Sequence, residues 1–107
     1  MKWAYIYEHP GSDPDADRVV LERGGQHTIL VPVPEPAAAP AVASALADDG
    51  VRLIELCGGF TLREAAQVAE AVGGRVPVGH VSFAGEAAAG VASYAREYAA
   101  ERAGPRA

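Results

Sequence analysis

The run Val51-Arg52-Leu53-Ile54-Glu55-Leu56-Cys57 constrains this chain most, because it reads as an interior strand and leads at once through Gly58-Gly59-Phe60 into a helix start. In Thr61-Leu62-Arg63-Glu64 the Thr61 hydroxyl and the Glu64 carboxylate are spaced to satisfy free N–H groups of a first helical turn, the pattern of a capping box. A buried strand passing directly into a capped helix is the repeating unit of a parallel α/β sheet. The same strand carries Glu55, and an ionised carboxylate there is costly unless it is paired, protonated or facing a polar cavity. Glu55 is therefore the first candidate site residue.

The elements around this unit follow from local chemistry. Trp3 to Tyr7 is a β-favouring run closed by His9-Pro10-Gly11, and Ser12 to Asp17 is turn chemistry. The acids Asp13, Asp15 and Asp17 lack the spaced ligands and terminal glutamate of a calcium loop, so this stretch reads as solvated loop. Arg18 to Arg23 and Gln26 to Val33 are two β-like runs joined by Gly24-Gly25, a tight antiparallel hairpin. After Pro34 and Pro36 an alanine-rich helix turns Val42 and Leu46 to the core and ends at Asp48-Asp49-Gly50. The capped helix runs to Val72 and stops at Gly73-Gly74. Val76 to Phe83 is the last strand. Gly85 to about Ala103 is the last helix, with Val91, Tyr94, Ala95, Tyr98 and Arg102 on one stripe. Residues 1–103 are expected to form a single domain and 104–107 a frayed tail.

With 107 residues and 50% apolar content, the chain is long enough for a real core. A net charge of -5 without a basic cluster argues against nucleic acid and anionic membranes as partners. No apolar run of membrane-spanning length and no signal-peptide layout appears, so the expected location is the cytoplasm. Cys57 is the single cysteine, which rules out an intrachain disulfide and suits a reducing compartment. One lysine against eight arginines, with many alanines, suggests a GC-rich bacterial source.

Side chains alternate across a strand, which sorts the candidates by face. Trp3, Tyr5, Tyr7 and His9 share one face of the first strand, and Leu53, Glu55 and Cys57 share one face of the central strand. In the last strand Val78, His80 and Ser82 oppose Gly79, Val81 and Phe83. Each strand thus offers a small or apolar face for helices, and the expectation is that Tyr, Glu, Cys, His and Ser gather on the other. A doubly wound sheet would bury that polar face. A four- or five-strand, mostly parallel sheet with helices mainly on one side, curved like half a (β/α) barrel or a ferredoxin-like layer, leaves it open. The second architecture is preferred, and its aromatic face favours a homo-oligomer that closes over it.

The segments Met1-Lys2-Trp3-Ala4-Tyr5-Ile6-Tyr7-Glu8-His9-Pro10-Gly11, Leu53 to Phe60, and Val76-Pro77-Val78-Gly79 together resemble a family of small bacterial proteins of unknown function. The resemblance extends from Met1 to about Gly85. It implies a small α/β domain and brings no activity or site residues.

The chemistry is therefore weighed from residue types. Glu55 and His80 make an acid/base pair if their strands are neighbours, since a carboxylate holds an imidazole's tautomer and favours its charged form. The alternative is a structural hydrogen-bonded pair. Cys57, at a strand end before a helix N-terminus, reads first as a small buried hydrophobe and second as a nucleophile. Gly58 and Gly59 either admit an anionic ligand to free N–H groups or simply form a tight turn. Tyr5, Tyr7, His9 and Ser82 complete the candidate ligand-binding set. His9, Glu55, Cys57 and His80 lack the spacing of a metal motif, so no metal and no cofactor is expected. Three readings follow: a cofactor-independent isomerase, lyase or cyclase working through Glu55 and His80, a non-catalytic small-molecule binding module, and a structural homo-oligomer. The first is preferred.

Overall fold

Alternating small and aromatic side chains make Lys2–Glu8 the first strand, β1, in the computed structural model, which describes residues 1–104. β2 (Val19–Arg23) and β3 (Gln26–Val33) form an antiparallel hairpin. Its turn is Gly24-Gly25 with φ of 63° and 77°, the pair of positive φ angles that glycines adopt without a steric penalty. A 3-10 turn at Pro36–Ala38 leads into α1 (Ala39–Asp48). β4 (Ile54–Leu56), α2 (Leu62–Val72) and β5 (Val78–His80) follow, and a second 3-10 turn, Gly85–Ala87, opens α3 (Ala88–Arg102).

The five strands form one sheet in the order β2-β3-β1-β4-β5, parallel except for the β2–β3 hairpin. The N-terminal strand thus lies at the centre. β4 is shorter than the run Val51–Cys57 suggests, yet its flanks stay tied to β1. Arg52 donates to the Lys2 carbonyl at 2.9 Å and Cys57 to the Ile6 carbonyl at 3.1 Å. β5 is likewise shorter than Val76–Phe83, since Pro77 has no N–H for a ladder and no strand lies beyond it.

One face of the sheet holds the core. Ala4, Ile6, Val31, Val33, Ile54 and Leu56 are fully buried beneath α1 and α2, which supply Ala39, Ala43, Leu46, Val68 and Val72. Val42 packs at the margin and Ala43 takes the central place, because an alanine lets the helix approach the sheet closely. α2 begins with the capping box: Thr61 Oγ1 accepts from Glu64 N–H at 3.1 Å and Glu64 Oε1 accepts from Thr61 N–H at 2.8 Å. It ends at Gly73 in the left-handed region, φ 60°. Arg75 then ties the two helices, its guanidinium bonding Asp48 and, at 2.9 Å, the Ser44 hydroxyl. The helix layer is therefore on one side, as expected. α3 joins neither layer, and none of its residues is buried. Gly104 still donates to the Glu101 carbonyl at 3.2 Å, and the fraying expected of residues 105–107 lies outside the described residues.

Candidate functional site

Residues paired across a parallel or antiparallel ladder share a face, so register decides which side chains meet. One rung crosses all five strands: Val19 opposite Leu30, Leu30 opposite Tyr5, Tyr5 opposite Glu55, and Glu55 opposite Gly79. A second rung joins Leu21, Thr28 and Trp3, where the indole N–H donates to Thr28 Oγ1 at 2.9 Å. Tyr5 and Tyr7, two residues apart on the same face, have ring centroids 6.3 Å apart. These side chains make up the face turned away from α1 and α2.

Glu55 is half-buried in the middle of this apolar rung. Among the described residues no hydrogen bond or ion pair engages its carboxylate. Beside it Gly79 contributes no side chain, and a methyl group built there would meet Glu55 Cγ at 3.7 Å. An open concavity of about 450 Å³ lies here around the edge strand β5, lined by Leu53, Glu55, Pro77, Val78, Gly79, His80 and Val81. Tyr5 adjoins it. Burial, then the neighbouring Cys57 and Glu55, push the Tyr5 phenol above its ordinary value, so it keeps its proton and can donate a hydrogen bond at neutral pH.

The structure does not bring Glu55 and His80 together. Their strands are neighbours, but Leu56 is the residue opposite His80, so the imidazole lies on the helix side of the sheet while Glu55 lies on the other. His80 Nε2 donates instead to the Phe60 carbonyl at 2.8 Å, tying β5 to the turn that starts α2. The expected gathering of His80 with the tyrosines fails for this reason: alternation within β5 gives two faces, and pairing with β4 chooses which is which. Ser82, exposed beyond the end of β5, likewise leaves the set.

The remaining candidates sit at the strand ends. Cys57 is half-buried, a free thiol between Tyr5 and the core. Gly58 admits the Phe83 ring, since a methyl group there would stand 2.8 Å from Phe83 Cε2, so its small size serves packing. Gly59 lies against the Cys57 sulfur. His9 is exposed at the end of β1, where its N–H bonds the Val33 carbonyl at 2.8 Å. β1 and β4 are the adjacent strands whose connections leave toward opposite edges, the position where open α/β sheets place their ligand crevices. Tyr7, His9, Cys57, Gly58 and Gly59 border it. Among the described residues no group of three His, Cys, Asp or Glu side chains could hold a metal ion. Gly79 was missed by residue-type reasoning, although a glycine beside a strand carboxylate is the signal for such a hollow.

Residues 1–96 match the family of unknown function DUF6506. The chain belongs to that family. The DUF6506 match spans every strand and all but the end of α3, so the Glu55 rung lies wholly within it. No curated protein and no solved structure matches the chain. No helix among the described residues is long and apolar enough to cross a membrane.

Proposed function

We propose that this protein binds a small organic molecule over the Glu55–Gly79 rung, with Glu55 accepting a hydrogen bond from, or pairing with, a donor or cationic group of the ligand. The observation that carries this reading is an unpaired, half-buried carboxylate set in an apolar rung and lining an open concavity. Leu53, Pro77 and Val81 supply apolar walls and Tyr5, opposite Glu55 on the same rung, a neighbouring hydroxyl, the mix of apolar lining and few polar groups that small-molecule sites use. A fragment screen by protein-observed NMR tests it. Amine- or amide-bearing aromatic fragments should shift Leu53, Glu55 and Gly79 resonances. Glu55→Gln should weaken them about 10-fold or more, as expected for loss of a hydrogen bond to a charged group. Fragments that bind elsewhere, or equally well to Glu55→Gln, would remove the reading.

The placement of Tyr5 directly opposite Glu55 favours a second reading, in which the site catalyses proton transfer without a cofactor, as an isomerase, lyase or cyclase does. Glu55 is then the base and the protonated Tyr5 the acid. In that case Tyr5→Phe lowers turnover of a bound substrate while leaving its affinity nearly unchanged.

A further inference from the structure

Two surfaces of this chain lack a partner, and they match. The first is the sheet face opposite the core. Val19 is 56% exposed, Leu21 59% and Leu30 38%, contiguous with Trp3 and Tyr5 along the two rungs. Four neighbouring parallel strands run through this sheet, and parallel sheets are covered on both faces almost without exception. The second is α3. Its stripe of Val91, Tyr94 and Tyr98 faces solvent, with Tyr94 69% exposed, and the tyrosine rings stack with centroids 6.4 Å apart. Val91 and Tyr98 are 36% and 39% exposed, and Ser93, on the other side of the helix, is half-buried. A helix of 15 residues is marginal alone in water, so α3 needs a surface to pack on.

We infer that α3 packs across the open sheet face of a second copy of this chain, each copy giving its helix and receiving its partner's. Within one chain no residue of the stripe is buried. The radius of gyration, 15.1 Å, also exceeds the roughly 13 Å of a compact chain this long. The dimensions agree: 15 residues of helix extend about 22 Å, close to the roughly 19 Å width of five strands. Charge agrees as well, because the stripe ends at Arg102 and the rung it would cross carries the unpaired Glu55. A reciprocal exchange is the symmetric, closed solution for such surfaces. If the proposed ligand site is correct, the partner's helix roofs it; that clause alone rests on the functional reading.

Native mass spectrometry of the full chain should show a species of twice 11.0 kDa. The double variant Tyr94→Glu/Tyr98→Glu, changed only at exposed positions, should be monomeric with its sheet circular dichroism retained. Leu30→Lys, on the receiving face, should be monomeric too. Mixing the two variants should restore a heterodimer, because the intact helix of one then meets the intact face of the other. A monomeric wild-type protein, a dimer that survives both variants, or variants that fail to complement would each overturn the exchange. A monomer whose fragment binding still depends on Glu55 would overturn the exchange and leave the ligand site standing. A dimer that binds no fragment would do the reverse.

Discussion

Tyr5 concentrates the electrostatics of the open face. Its phenol is held above the ordinary value by burial and by Cys57 and Glu55, so folding favours the protonated form. Stability from this source is complete below pH about 10, the unfolded value, and is lost as pH rises through the folded value. Thermal melts from roughly neutral pH up to about 11 should therefore show a steeper alkaline decline for wild type than for Tyr5→Phe. His80 behaves differently. Its hydrogen bond to the Phe60 carbonyl is structural, so His80→Ala should cost about 1 kcal/mol, a Tm drop of roughly 4–8 °C. The strand position of Glu55 was legible from sequence because a charge inside an apolar run is conspicuous on its own. The separation of His80 from it was not, because the phase of one strand against the next is fixed by pairing partners distant in sequence.

The elements most legible in advance were those whose ends carry their own chemistry. The Gly24-Gly25 hairpin and the Thr61–Glu64 box sit where the residues dictate, and the boundary at Gly73 follows from its left-handed φ of 60°. Thr61→Ala removes the acceptor for Glu64 N–H and should cost about 1 kcal/mol, seen as a lower urea midpoint with an unchanged slope. The short β4 and β5 were less legible, since the apolar runs extend past the paired residues on both sides and only the pairing with neighbouring strands marks where each strand stops. For α3 the stripe of Val91, Tyr94 and Tyr98 was readable, but periodicity states that a helix has an apolar side without naming what meets it.

For the whole molecule, the sheet-and-two-helix body accounts for the buried core, while the opposite face and α3 hold the unassigned surface. The proposed ligand site and the proposed assembly surface thus fall on the same side of the sheet. The central position of β1 carries a further consequence, and it concerns the order of events during synthesis. Tyr5 leaves the ribosome before its hairpin-side neighbour Leu30, and Leu30 before β4, so a three-strand unit of β1, β2 and β3 can form first. Glu55 and the rest of β4 arrive about fifty residues after Tyr5, roughly 3–10 s later at ordinary elongation rates. Throughout that interval one edge of the nascent protein's middle strand stands open, and until α1 has emerged the buried side chains Ala4 and Ile6 have no helix above them, which makes this the period when a chaperone has most to protect.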